Sequence, residues 1–332
     1  MIAMELEMRM IRLLLSAVLV PLLAACAPHP AQAADGQASG AERRIAITLD
    51  DAPLGPGARG DHDRADALIA GLRASGVQAA FFVTTDGFAE LSDGRDRVAR
   101  YGQAGHLIAN HTHSHLRLSA SDAEAFLADV RSAESLLEGL PNRRPWFRYP
   151  YLDEGRQDRG KRNAVRAGLA EFGLANGYVT VDTYDWHFDR RWAQAVAEGA
   201  EVDETALQAV YIAMIVDAAE HAHGLAAAWL PQQPVHTLLL HENDAAAAFL
   251  PAAIAALRDK GWTIVSPDAA YNDPLPDSDS GFTGMGRVAT LALGAGARGA
   301  EAFDHWSASE EAIDRRLTET GAIKLASEPP DR

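Results

Sequence analysis

The stretch NHTHSHLRLS, residues 110–119, sets His111, His113 and His115 at alternate positions in a chain with twelve histidines. Neutral imidazoles are good ligands for a divalent metal such as zinc. An extended segment would turn all three rings to one side and give a three-histidine site. A helical turn would bring only His111 and His115 together, because positions four apart stack and positions two apart diverge. Other polar residues stand out by position: the adjacent carboxylates Asp50 and Asp51, then Arg148 and Tyr151, Asp182 through Trp186, and His241. Each has an ordinary reading when taken alone. The aspartates suit a turn, Arg148 a structural ion pair, Trp186 a core position, and His241 a satisfied core or surface histidine.

What joins them is the pattern of elements that must carry them. From residue 45 onward short apolar runs alternate with helical patterns, which is the signature of βα units around a parallel sheet or barrel. The strands read as 44–49, 78–84, 106–110, 145–149, 177–181, 236–241 and 262–266, about seven units. The helix after the histidines is expected to start at a capping box, Ser121 to Glu124, with Phe126, Leu127, Val130 and Leu137 on its apolar stripe. Gly76 and Gly261 are expected just past the ends of two further helices. Asp50 and Asp51 then follow the first strand, the histidines the third, Arg148 and Tyr151 the fourth, Asp182–Trp186 the fifth, and His241 closes the sixth. In a parallel barrel these strand ends open onto one face, so the scattered residues converge.

The N-terminus reads as an export signal. Arg9 and Arg12 precede an apolar run from Leu13 to Leu23 that is short for a membrane span. Leu23-Ala24-Ala25-Cys26 resembles a bacterial lipobox, which makes Cys26, the single cysteine, a lipidation point and excludes a disulfide within the chain. Signal cleavage after Ala33 is the alternative. The organisation expected is a signal over 1–25, a flexible tether over 26–43, the main domain over 44–272 with a long insertion at 187–234 that shapes the cleft, and an extension over 273–332 without further strands, loosely packed or partly disordered. The expected location is the periplasm or cell envelope, with membrane attachment only through Cys26 and a mild preference for the outer membrane. A formal charge of -16 argues against nucleic acid and favours neutral or cationic substrates.

The motifs TLDD (48–51), HTHSH (111–115), RYPY (148–151), DTYDW (182–186) and LLLH (238–241), in this order, resemble the polysaccharide deacetylases of the NodB-homology type, carbohydrate esterase family 4. The resemblance spans roughly residues 45–270. It implies an α/β fold, a distorted (β/α)7-type barrel holding one divalent metal, most often Zn2+, with Co2+, Mn2+ or Ni2+ as alternatives. By that resemblance Asp51, His111 and His115 are the metal ligands, with His113 turned elsewhere. Asp50 is the general base oriented by Arg148, and His241 the general acid oriented by Asp185. The Tyr151 N–H contributes to the oxyanion hole, and Trp186 and Leu239 line the pocket for the acetyl methyl group.

The implied activity is removal of N-acetyl groups from N-acetylglucosamine units of a glycan or oligosaccharide. The chemistry is coherent: amide hydrolysis needs an activated water, a polarised carbonyl and a protonated leaving amine. On this reading Arg148 keeps Asp50 ionised, and Asp185 favours the protonated form of His241. The chain departs from the family at Leu49, where Phe is usual, and at Ala52-Pro53, where Gly follows the second Asp. Pro53 restricts Ala52 and alters the loop beside the base. That departure leaves an O-acetyl esterase or a small-amide amidase as a second reading. A surface lipoprotein that binds glycan without hydrolysis is a third.

Overall fold

The computed structural model describes residues 42–60, 63–278 and 285–324; the signal, Cys26 and most of the tether lie outside the described residues. The strands are β1 (Arg44–Ala52), β2 (Ala80–Val83), β3 (Leu107–Asn110), β4 (Arg143–Phe147), β5 (Ala175–Asn176), β6 (Glu201–Val202), β7 (His236–His241), β8 (Thr263–Val265) and β9 (Ile323–Lys324). In β1, Ile45, Ala46, Ile47 and Leu49 are fully buried on both faces, as befits a parallel strand covered on each side. The sheet order is β5-β4-β3-β2-β1-β7, all parallel, and β8 pairs with the first residues of β1.

The expected fifth strand over 177–181 is divided. Ala175 and Asn176 pair with β4, and the Gly177 N–H donates to the Phe147 carbonyl at 2.8 Å. Val181 instead bridges to β7, where the Leu239 N–H donates to its carbonyl at 3.0 Å. One short stretch therefore touches both ends of the sheet and closes it into a distorted barrel. Glycine is required at the crossing, since a Cβ on Gly177 would lie 2.5 Å from the Phe82 ring.

Between the strands lie α1 (Arg64–Ala74), α2 (Gly87–Glu90), α3 (Gly94–Gln103), α4 (Ala123–Leu137), α5 (Arg159–Glu171), α6 (Asp185–Ala197), α7 (Glu204–Trp229), α8 (Asp244–Asp259) and α9 (Pro267–Tyr271). Gly76 and Gly261 take positive φ just past α1 and α8, as expected. The capping box does not form. Asp122 is the N-cap of α4 and accepts from the Ala125 N–H, while the Ser121 hydroxyl turns back to the Arg117 carbonyl. A carboxylate one residue closer to the helix serves its positive end better than the serine.

Two stretches of the rest of the chain take definite form. The long connection is an elaboration of the core, and no residue of 187–234 is among the described walls of the cleft. It forms α6 and α7, and α7 buries Leu207, Tyr211, Met214, Ile215, Ala218 and Ala222, a helical stripe in the main core. The C-terminal stretch is not loose either: it forms α10 (Arg287–Ala295), α11 (Gly299–Phe303) and α12 (Glu310–Glu319), and it contains a strand, β9, antiparallel to β6. Ile313 is fully buried and Leu317 nearly so, because apolar side chains four apart on α12 face the core beside α6 and α7, and Ala322, just before β9, is fully buried too.

Candidate active site

Neighbouring residues on a strand point to opposite faces, so Asp50 and Asp51 should not both reach one cleft. They do because the register of β1 against β2 slips between Leu49 and Ala52, and Asp51 takes a φ of 62°. Such a bulge re-aims side chains at a barrel rim. The Ala52–Pro53 bond that follows is cis. The histidine segment is neither extended nor helical. It turns irregularly after β3, with positive φ at Thr112 and His115. Of the seven non-glycine residues with positive φ among the described residues, six (Asp51, Thr112, His115, Tyr151, Leu152 and Arg156) belong to the loops of this face. Strained backbone of this kind concentrates at functional sites.

The result is a cleft of about 530 Å³ whose walls include Asp50, Asp51, His111, His115, Tyr151, Trp186, Leu239 and His241. Asp51 Oδ1 lies 3.4 Å from His111 Nε2 and 3.3 Å from His115 Nε2. Ligand atoms of these three residues lie within 4.8 Å of one another, and Asp51 Oδ1 is buried without a hydrogen-bond partner. His111 Nδ1 donates to the Arg148 carbonyl at 2.9 Å in the tautomer that leaves Nε2 free as a ligand. Burial pushes the His111 pKa down to about 3, which keeps the ring neutral, as a ligand must be. Burial alone would raise Asp51; His115, His241 and His111 outweigh it and hold the carboxylate below its ordinary value. One aspartate and two imidazoles with an orphaned carboxylate oxygen fit a divalent cation of the zinc type. His113 is outside this group. Its Nδ1 meets the Thr85 hydroxyl at 2.9 Å, and its backbone N–H donates to Asp129.

Two pairs flank the triad. Arg148 donates through Nη1 to Asp50 Oδ1 and to the Thr48 hydroxyl, through Nε to the Gly177 carbonyl and through Nη2 to the Tyr271 hydroxyl. Burial outweighs the guanidinium and lifts the Asp50 pKa to about 6, with Arg148 opposing a further rise. On the other side His241 Nδ1 lies 2.7 Å from Asp185 Oδ1, and Asp185 also accepts from the His241 and Asn243 N–H groups. Burial alone would lower the His241 pKa. Asp185, with help from Asp51 and Asp50, raises it to about 10. His241 Nε2 lies 3.9 Å from Asp51 Oδ2.

Several residues of the site had no role assigned to them from the sequence. Asp182 lines the cleft, and its pKa is raised to about 7 by burial and by the nearby Asp185 and Asp50, against His241. Its place at the head of DTYDW was the only signal. Glu242 is fully buried, where it receives the Tyr101 hydroxyl at 2.6 Å and the Leu54 N–H at 2.8 Å, while Arg64 reaches its carbonyl and Asp244. This network pins the loop after Pro53 to the β7–α8 junction, and nothing in the sequence pairs residues so far apart. The C-terminal stretch also acts here: the Tyr184 N–H donates to the Ser307 carbonyl at 2.8 Å, fixing the turn that leads to Asp185.

Residues 37–172 match a family model described as polysaccharide deacetylase. Similar curated proteins include chitin deacetylase 2 of Saccharomyces cerevisiae, 35% identical over 92 residues (27% of this chain and 27% of that protein). Another is a chitooligosaccharide deacetylase of Rhizobium leguminosarum bv. trifolii, 32% identical over 106 residues (32% and 45%). A probable peptidoglycan-N-acetylglucosamine deacetylase of Arthroderma benhamiae is 28% identical over 110 residues (32% and 23%). The matched stretches thus span less than half the length of these relatives. Among solved structures, the chitin deacetylase of Colletotrichum lindemuthianum aligns with a TM-score of 0.48 at 19% identity, covering 69% of this chain and 88% of that one.

Proposed function

We propose that the chain, whose residues 37–172 match the polysaccharide deacetylase model, is a metal-dependent hydrolase of the NodB-homology type that removes N-acetyl groups from N-acetylglucosamine units of a glycan or oligosaccharide. The observation that carries the reading is the flanking of one Asp-His-His triad by a carboxylate–arginine pair and a histidine–carboxylate pair. Asp51, His111 and His115 hold the cation, Zn2+ in the first instance, and when bound it supplies Lewis-acid polarisation of the acetyl carbonyl and a lowered pKa for water.

Asp50 takes the proton of the attacking water. Arg148 fixes its Oδ1, while Oδ2 faces the triad, 3.6 Å from His111 Nε2. A pKa lifted to about 6 makes it a stronger base than an ordinary aspartate and leaves it mostly ionised at neutral pH. His241, held protonated by Asp185, donates from Nε2 to the departing nitrogen. The Tyr151 N–H serves the developing oxyanion, and Trp186 and Leu239 exclude water from the acetyl methyl.

The test is acetate release from chitin oligomers, peptidoglycan and poly-N-acetylglucosamine, with acetylated xylan and small amides in the same panel, with and without chelator. Chelator-sensitive release from the N-acetylated glycans is expected. Release that ignores chelator sinks the mechanism, and release confined to xylan or small amides replaces the substrate. We further propose export with lipid anchoring at Cys26, to be checked by loss of labelled palmitate incorporation in Cys26→Ser.

A further inference from the structure

The reading of the net charge changes at the mouth of the cleft. The chain carries 46 acidic against 30 basic side chains, yet the acidic groups of the cleft, Asp50, Asp51 and Asp182, are placed with the triad and His241. The outer wall instead carries two arginines, Arg117 and Arg156, on the loops that follow β3 and β4. Those strands are neighbours in the sheet, so the two loops are adjacent.

Arg117 is held in place. Its guanidinium carbon sits 3.7 Å from the centroid of the Tyr151 ring, and that ring lies 4.5 Å from the ring of His115. Two short steps thus connect the cation to a residue of the triad. Tyr151 is one of three exposed large apolar side chains among the described residues, at 47% exposure, and it stands at the cleft rather than on an outer surface. Among the described residues the Arg117 guanidinium has no carboxylate oxygen within 4.0 Å, and it sits over the Tyr151 ring. A half-buried arginine stacked on an aromatic ring and lacking an ionic partner is a preorganised fork for a carboxylate.

We propose that the substrate is an anionic glycan: the acetylated sugar carries, or adjoins a sugar that carries, a carboxylate, and Arg117 binds it while Tyr151 supports the sugar ring. This rests on the hydrolase reading of the same cleft and narrows its substrate class. The global charge does not oppose it. Surface charges farther off than a Debye length, about 8 Å at physiological salt, are largely screened, whereas a cation in the cleft acts at contact distance. The carboxylate has two plausible chemical sources, a uronic acid or an acidic ether substituent such as lactyl, and both present the same group to Arg117.

The experiment compares acetate release by the full, metal-loaded chain from two substrate pairs. One is an N-acetylated oligosaccharide containing a uronic acid and its methyl ester; the other is an N-acetylated oligosaccharide with a lactyl carboxylate and its methyl ester. A neutral chitin oligomer of equal length completes the set. In at least one pair the free acid is expected to exceed its ester about tenfold in kcat/KM, mainly through KM, and to lose that lead as salt is raised. Arg117→Gln should collapse the acid-to-ester ratio toward one, and Arg117→Lys should keep part of it, since a point charge remains without the fork. Equal rates for acid and ester in both pairs overturn the proposal, as does an Arg117→Gln protein that keeps the wild-type ratio. If no acetylated compound releases acetate, the hydrolase reading fails instead. The acid and ester are then compared by equilibrium binding, where a tighter acid that depends on Arg117 upholds the anion site and equal binding rejects it.

Discussion

β7 carries a histidine at each end, and the two meet opposite fates. His236 opens the strand, is fully buried among His223 and Trp262, and its ring makes one hydrogen-bond contact among the described residues, Nδ1 lying 3.2 Å from the Thr180 hydroxyl, while Nε2 has no partner. Burial pushes its pKa down to about 3, helped by nearby His223. His241 closes the same strand, is also shielded from water, and yet is raised to about 10. The difference is Asp185, 2.7 Å from its ring nitrogen. Desolvation acts on both in the same direction, and one carboxylate reverses the outcome. The division holds for the barrel as a whole. The C-terminal strand ends gather Asp50, Asp51, His111, Arg148 and His241, while the N-terminal ends bury Ile45, Ala46 and the neutral His236. One end is arranged for chemistry and the other for packing.

The severest way to break this contrast is to remove a member of the triad. His115→Ala should lose the metal and, with it, turnover by about three orders of magnitude or more, read by metal analysis and acetate release. Asp50→Asn should lower kcat by roughly 10²–10⁴ while the metal stays bound; loss of metal as well would mean that Asp50 is a ligand rather than the base. Asp185→Asn should bring His241 toward the behaviour of its twin. In chelator-treated protein its NMR titration should fall from about 10 toward or below the ordinary histidine value, and in the loaded enzyme turnover should drop roughly 10²-fold.

The stability of the metal-free protein should carry both signatures. The His241–Asp185 contribution, with a folded pKa above the unfolded value near 6.5, is fully present below that pH and is lost as pH rises through about 10. The His236 contribution has the opposite sign: with a folded pKa near 3, it is present above about 6.5 and lost as pH falls toward 3. His236→Asn should therefore flatten the acid limb of a melting-temperature profile without affecting the alkaline limb. The smallest effect is expected at His113. His113→Ala should leave metal affinity unchanged, and a loss equal to that of His115→Ala would restore the three-histidine alternative.

Legibility followed the range of the interaction concerned. Strand positions came from apolar runs of residues that are buried on both faces, so β1, β3 and β7 lie where the composition puts them. The capping box failed at Ser121 because two capping residues stood side by side and the sequence pattern does not rank Asp122 above it. The C-terminal stretch was misjudged for a different reason. Its Pro, Gly, Asp and Ser content resembles a tail, whereas Ile313 and Leu317 find their partners on α6 and α7, more than eighty residues earlier in the chain. Glu242 escaped notice because a buried acid is recognisable only by the Arg64, Tyr101 and Leu54 groups that satisfy it.

The sequence by itself determined the alternation of strands and helices, the order of the five motifs, and the residue types available at the barrel rim, because these depend on periodicity and chemistry along the chain. Only the tertiary structure decided that Asp50 and Asp51 face one cleft, that His113 leaves the group while His115 stays, and that His241 gains a proton that His236 is denied. A bulge, an irregular turn and a carboxylate delivered from the first turn of α6 are each set by contacts across the barrel. No local pattern encodes them, since the free energies involved arise from burial and charge brought together only when the chain has folded.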